Sequence, residues 1–329
     1  MIDAAAFGER RVLITGGLGF IGSSIAHRLV ALGAQVSLLD VLLANNGGTP
    51  LNIRGIEDKV GVFYGDIRDR DLLRRLVAGQ DFIFNLAGQV NYRESLANPF
   101  LDLDISCAGH LSLLEACRSV NSGARVVFAS SRLVYGRQPS APVSETASPD
   151  PLTLYGIHKL TAERYHQLYW RSFGIHTAVL RITNPYGPRQ NVQNGRYGIV
   201  NWFLRLAMEG GVIRIYGDGG QKRDVIFIDD LVDAFLAAAT TPAAAGQIFN
   251  AGSGQTAALR EIAAAAIATA GKGRIEHVEW PAAEQQMETG DFIVDITKAR
   301  RLLRLGPATT LAEGLRKTRC FYEDHAMGH

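Results

Sequence analysis

Short apolar runs alternate along the first half of the chain with longer stretches whose apolar residues recur every three or four positions, the patterns of buried strands and amphipathic helices. Val12, Leu13 and Ile14 predict the first strand. Glycines follow at 16, 17, 19 and 22, a helix is expected over Ser24–Leu32 with Gly33 ending it, and Gln35–Leu39 predicts a second strand that finishes in Asp40. Further strands are expected at Val60–Tyr64, Asp81–Leu86, Arg125–Ala129 and Thr177–Ile182, and long helices at Leu101–Ser119 and Leu154–Phe173. This alternation to about Ile182 predicts an α/β fold, a doubly wound parallel sheet with helices on both faces. Beyond Asn184 the chain turns to loops and short elements rich in glycine, asparagine and arginine. Val225–Ile228 and Gln247–Asn250 read as returns to the main sheet, so a smaller domain is expected to interleave with it. The expected division gives 1–182 and 224–252 to the Rossmann sheet domain, and 183–223 and 253–329 to the smaller domain. Asn45–Pro50 reads as a surface loop and Ile262–Ala270 as a plain helix.

The glycines fit both Gly-x-Gly-x-x-Gly and Gly-x-x-Gly-x-x-Gly, and a plain tight turn would also use them. What favours a dinucleotide site is the context of strand, turn, helix and second strand. Missing side chains let backbone approach a pyrophosphate, whose charge the free amides and dipole of a helix start can hold. Asp40 can accept both ribose hydroxyls of an adenosine and would repel a 2′-phosphate, which favours NAD over NADP, although an acidic residue also starts many loops. Asp66 can reach an adenine amino group or merely form a turn, and the small Ala87–Gly88 leave room for a cofactor at the strand ends.

With 329 residues, 47% of them apolar and 20% charged, the chain is that of an ordinary globular protein large enough for one α/β domain and a companion. A net charge of +2 argues against a dedicated nucleic-acid surface. Cys107, Cys117 and Cys320 are odd in number and have no metal-ligand spacing, which fits reduced thiols in a cytoplasmic protein and no metal site. No signal-peptide pattern opens the sequence, and no apolar run is long enough to span a bilayer.

Ser130-Ser131 closes a strand, and Tyr155-Gly156-Ile157-His158-Lys159 opens a helix further on. A tyrosine four residues before a lysine shares its helix face, so the ammonium is expected to lower the phenol's pKa, while the serine hydroxyl bonds a substrate oxygen. Alone, Tyr-x-x-x-Lys describes many helix surfaces. After a dinucleotide fingerprint and a serine-tipped strand it describes a proton-transfer device beside a hydride carrier.

In this order, TGGLGFIG, the strand-end Asp40, GDIRD from Gly65, NLAGQ from Asn85, ASSRLVYG from Ala129, YGIHK from Tyr155, RITNPYGPR from Arg181 and RDVIFIDD from Arg223 cover almost the whole chain. The set resembles the extended short-chain dehydrogenase/reductases of the NAD-dependent epimerase/dehydratase family, which act on nucleotide sugars. The resemblance implies Ser131, Tyr155 and Lys159 as the catalytic triad. It implies NAD contacts from Gly16, Gly19, Phe20, Ile21, Gly22, Asp40, Asp66 and Ile67, and from Leu86, Ala87, Gly88, Gln89, Tyr155, Lys159 and Pro185. It implies substrate contacts from Ser131, Asn184 and Arg223, with Arg223 suited to a diphosphate by its bidentate donors. A homodimer through the two long helices is likewise implied.

Three departures limit the transfer. Arg132-Leu133 stand where family dehydratases carry an acidic pair, Met287-Glu288-Thr289-Gly290-Asp291 replaces an arginine before Pro-Gly-Asp, and Ala87-Gly88 replaces an alanine pair. The expected function is a nucleotide-sugar epimerase, acting at C4, that oxidises transiently to a ketosugar and reduces it again. A 4-ketosugar reductase, a dehydratase and, outside the enzymes, an NAD-sensing scaffold are the alternatives.

Overall fold

Strand β1 (Arg11–Thr15) is buried from Val12 onward, as a continuous apolar run must be when both faces of a parallel sheet are covered. The computed structural model describes residues 4–43, 46–89, 92–138, 141–193, 195, 198–281, 285 and 290–325. After β1 come α1 (Phe20–Ala31), β2 (Gln35–Asp40), β3 (Val60–Tyr64), α2 (Arg70–Val77), β4 (Phe82–Asn85), α3 (Tyr92–Ala97), α4 (Pro99–Leu103), α5 (His110–Val120), β5 (Arg125–Ser131), α6 (Leu154–Phe173) and β6 (Thr177–Ile182). The remainder forms β7 (Asn184–Tyr186), α7 (Ile199–Met208), β8 (Val212–Tyr216), β9 (Lys222–Phe227), α8 (Ile228–Thr240), β10 (Ile248–Ala251), β11 (Thr256–Ala258), α9 (Leu259–Ala270), β12 (Arg274–Val278), α10 (Thr297–Leu303) and α11 (Leu311–Asp324).

Seven strands pair in the order β3-β2-β1-β4-β5-β6-β10, parallel throughout, so the doubly wound expectation is met. Side chains alternate across this sheet. Ile14, Leu38, Phe84 and Val127 pack on one face with Ile25 and Leu29 of α1 and Phe235 of α8, while Leu13, Leu39, Ile83 and Val126 pack on the other with Leu73 of α2 and Leu113 of α5. The chain order reverses between β1 and β4, and the crevice at their carboxyl ends is where doubly wound sheets bind ligands.

Three expectations change. Helix α1 starts at Phe20 rather than Ser24, with Gly19 as its N-cap. The Ser23 and Ser24 hydroxyls, capping residues by propensity, donate instead to the Phe20 carbonyl inside the first turns. The helix expected over Leu101–Ser119 is interrupted by a π-helical turn, Asp104–Gly109, between α4 and α5. There Gly109 passes so close to Ile67 that an added Cβ would lie 2.6 Å from its Cγ2, which a wide turn and a missing side chain together allow. Finally, Val225–Ile228 does not return to the main sheet. Strand β9 is the centre of a three-stranded sheet, parallel to β7 and antiparallel to β11, and Ile228 already belongs to α8. An apolar run encodes burial but not which sheet receives it. The Gln247–Asn250 expectation lands on β10, which does join the main sheet beside β6. The loop expected over Asn45–Pro50 is irregular at 46–49 and enters a 3-10 turn at Pro50, and Asn45 lies outside the described residues.

Candidate active site

The glycine turn owes its shape to close approach. Gly16 adopts φ +68, and a Cβ there would lie 3.1 Å from the Ala87 nitrogen. Gly22 sits in the first turn of α1, where a Cβ would lie 2.2 Å from the Gly16 carbonyl oxygen, so the helix start is pressed directly onto the turn. This makes the cradle that a pyrophosphate requires. At the end of β2 the Asp40 carboxylate accepts the Leu18 and Leu42 backbone amides, each at 2.9 Å, which fixes it beside the turn with lone pairs to spare.

Two adjoining cavities occupy the carboxyl ends of the strands. The smaller, about 90 Å³, is lined by Asp40, Asp66, Ile67 and Ala87 and shares Gly16, Gly19, Leu86 and Gly88 with the larger. The larger, about 350 Å³, brings Phe20, Ile21, Gly22 and Gln89 together with Ser131, Tyr155, Lys159, Asn184 and Pro185. Gln89 is 5% exposed and its side-chain oxygen has no hydrogen-bond partner among the described residues, a buried polar atom left for a ligand. The glycine cradle, the strand-end carboxylate and this oxygen fit an NAD-sized dinucleotide. Asp66 is held by Arg68, which donates Nε and Nη2 at 2.9 and 2.7 Å and lowers the carboxyl's pKa. Arg223 lines neither cavity: it is buried in β9 and donates Nη1 to the Lys222 and Gly290 carbonyls at 3.0 and 2.7 Å. Asn184 lines the large cavity while donating Nδ2 to the Asp224 carbonyl at 2.7 Å. Glu288 lies outside the described residues.

Tyr155 and Lys159 are set by α6, whose N-cap Thr153 accepts the Gly156 amide at 3.1 Å. Lys159 is 4% exposed, donates Nζ to the Ala129 carbonyl at 2.9 Å and stands 4.9 Å over the Phe128 ring. Its burial brings its pKa down to about 8. Burial pushes Tyr155 up to about 12, the nearby Ser131 hydroxyl pulls the other way and Asp102 adds to the rise, so the net shift runs opposite to the lowering expected from an ammonium neighbour. Lys159 is turned to a strand-end carbonyl and an aromatic face, with its Nζ 5.9 Å from the Tyr155 ring centre.

Two buried polar pairs behind the triad have no signature in sequence spacing. Glu163 of α6 accepts Arg181 Nη2 at 2.7 Å and the Ser130 hydroxyl at 2.5 Å, which ties α6 to β5 and β6 next to Ser131. Arg181 also covers the Tyr135 ring at 4.5 Å, and Tyr135 donates to Asn250 Oδ1 at 2.7 Å. His158 and Asp102 form the second pair, Nδ1 to Oδ2 at 2.5 Å. Thr183, Gln190 and Asn191 also line the cavity and were not singled out beforehand. The last two continue the RITNPYGPR stretch by two residues, which was the available signal.

The order of glycine turn, strand-end carboxylate, serine-tipped β5 and Tyr155/Lys159 on α6 defines a short-chain-dehydrogenase type of site on a doubly wound sheet. The chain belongs to the NAD dependent epimerase/dehydratase family, whose pattern matches residues 12–252. It is 34% identical over 323 residues to the UDP-glucose 4-epimerase of Mycolicibacterium smegmatis, covering 96% of this chain and 100% of that one. Among solved structures, the Thermotoga maritima UDP-glucose 4-epimerase with UDP-glucose is 28% identical with a TM-score of 0.86, covering 96% of this chain and 99% of that one. The Thermus thermophilus UDP-glucose 4-epimerase in complex with NAD is 30% identical with a TM-score of 0.84, covering 95% and 99%. No helix among the described residues is long and apolar enough to cross a membrane, and they contain no cluster of metal-ligating side chains.

Proposed function

We propose that this chain is a nucleotide-sugar epimerase that inverts C4 through a transient ketosugar, with Ser131, Tyr155 and Lys159 as its catalytic residues. The observation that carries the reading is one cavity that gathers these three side chains with the glycine cradle, while Arg132 and Leu133 line it where dehydration would need an acid and a base. The cofactor would be held by Gly16, Gly19 and Gly22 at its pyrophosphate, by Asp40 at its ribose, and by Leu86, Gly88 and Gln89 along the strand ends. NAD supplies hydride acceptance and donation and, when oxidised, a positive charge.

Tyr155 takes the proton of the sugar hydroxyl and returns it after inversion, Ser131 hydrogen-bonds the reacting oxygen, and Lys159 supplies a fixed cation beside them. Burial keeps the phenol protonated in the protein alone, so proton removal waits for positive charge to enter the cavity. Asn184 and Arg223 are assigned to the sugar diphosphate by their motifs. For Arg223 this requires its guanidinium to extend from the carbonyls that now hold it. Residues 183–223 and 253–329 are proposed as the sugar-binding part, laid over the sheet domain formed by 1–182 and 224–252. A homodimer is proposed through α4, α5 and α6, supported by exposed apolar side chains at Phe100, Leu103 and Ile157.

The test is product NMR with the purified protein on UDP-, dTDP-, GDP- and CDP-hexoses, with no reduced cofactor added. Inversion of one ring centre supports the reading. Turnover only with a ketosugar and stoichiometric NADH would make the enzyme a reductase, and retained NAD without any turnover would make the chain a scaffold.

A further inference from the structure

Asp102 is a fully buried carboxylate that no arginine or lysine side chain contacts within ion-pair distance among the described residues. It lies on α4 just before the π turn, and it accepts from two neighbours: the His158 imidazole at 2.5 Å and the Ser106 hydroxyl at 3.3 Å. His158 is itself buried, sits between Tyr155 and Lys159 on α6, and its carbonyl accepts the Cys107 thiol at 3.8 Å. A buried carboxylate is held there by an imidazole on the neighbouring helix, and in a low-dielectric surrounding its charge is felt by ionisable neighbours.

We propose that the His158–Asp102 pair is a positioning pair for the proposed catalytic Tyr155 and Lys159: it pins their helix turn to the interrupted helix and holds the buried Asp102 carboxylate beside them. The inference rests on the epimerase reading for its consequence in turnover but not for its charge effect. The groups facing the pair are Tyr155 and Lys159 on α6 and Cys107 on the π turn, with the Ser131 hydroxyl of β5 at the phenol. Glu163, His110 and His166 face Lys159 from its other sides. Asp102 is the main influence that keeps Lys159 charged against its burial, and it adds to the rise that burial gives the phenol and the Cys107 thiol, the latter to about 11. No hydrogen bond joins Tyr155 to Asp102 or His158 among the described residues, so the action is through charge and through helix placement.

Asp102→Asn keeps the shape and removes the charge. His158→Gln keeps a hydrogen-bond donor and leaves the carboxylate in place. Lysine ε-carbon NMR titration of the full-length protein, with the Lys159 signal assigned by its loss in Lys159→Met, reads the effect without any turnover. From a midpoint near pH 8 in the parent, Lys159 is expected to move lower in Asp102→Asn by about half a pH unit or more, and to stay near the parent value in His158→Gln, which keeps the carboxylate. The alkaline limb of the pH–rate profile should follow the Lys159 midpoint. A Lys159 midpoint that stays in place in Asp102→Asn overturns the proposal whatever rate is lost, because a merely structural pair would cost activity without moving it. If Asp102→Asn does not fold, Asp102→Ser, which is also neutral, decides by the same titration. A parent protein that epimerises nothing contradicts the functional reading, and the Lys159 titration still decides the pair.

Discussion

Tyr155 and Lys159, the proposed catalytic pair, are shifted in opposite directions: burial pushes the phenol up to about 12 and brings the ammonium down to about 8. Tyr155→Phe keeps a ring of nearly the same shape, so the variant should fold and retain NAD while turning over about a hundredfold more slowly or worse. Near-normal rates in that variant would return Tyr155 to the status of a helix residue. The sign of the pH dependence follows from Lys159. Its folded pKa lies below the ordinary lysine value, so charge is lost as pH rises through about 8, and activity should fall on the alkaline side with a midpoint there. A pH–rate profile at saturating substrate checks this, and Lys159→Arg, which does not titrate, should lose that limb at whatever rate remains. That Ser131, Tyr155 and Lys159 would meet in one cavity was legible in the sequence, but the direction of Lys159 was not. Nothing in Tyr-x-x-x-Lys says that the ammonium turns to the Ala129 carbonyl and the Phe128 ring.

At the scale of elements, what the sequence made plain was whatever depends on local pattern. The bounds expected for β3, α6 and β6 match the structure residue for residue: β6 is buried throughout, the edge strand β3 is a short β-branched and aromatic run, and α6 is bracketed by Thr153 and the left-handed Gly174. What stayed hidden depends on pairing across the fold. Strand β9 looked like a main-sheet strand and found β7 and β11 instead, and the pairs Glu163–Arg181 and Asp102–His158 join residues 18 and 56 positions apart. The π turn escaped because it is marked only by Gly109, whose closeness to Ile67 is a tertiary fact. Helix α1 gives the sharpest element-level prediction. Gly22→Ala places a Cβ 2.2 Å from the Gly16 carbonyl oxygen, so the helix start must lift from the turn. The expected result is a loss of about 1–3 kcal/mol in stability together with markedly weaker NAD binding, read by denaturant melts and cofactor titration. Unchanged NAD affinity would mean that the cradle is not the pyrophosphate site.

For the whole molecule, the two cavities join a strand-end carboxylate at one end to the tyrosine–lysine pair at the other, and β7 of the three-stranded sheet contributes Asn184 and Pro185 to the larger one. The exposed face near the site bears on assembly. Phe100 is 78% exposed on α4, an expensive position for an aromatic side chain in an isolated subunit. Phe100→Asp should convert a dimer to a monomer by light scattering with the fold retained, and a parent protein that is monomeric at micromolar concentration would remove the homodimer proposal.

The central claim is that oxidation is followed by reduction on the other face and not by loss of water. Arg132 cannot serve as a carboxylic acid and Leu133 exchanges no proton, while Glu145, a carboxylate that might replace them, accepts the Asn250 amide at 2.8 Å. The most direct measurement is NMR of the product formed from a 6-hydroxy nucleotide hexose in deuterium oxide without added NADH. The account predicts one inverted ring centre, the C6 oxygen retained and no deuterium at C5 or C6. A 4-keto-6-deoxy product carrying deuterium at C5 would contradict it and make the enzyme a dehydratase.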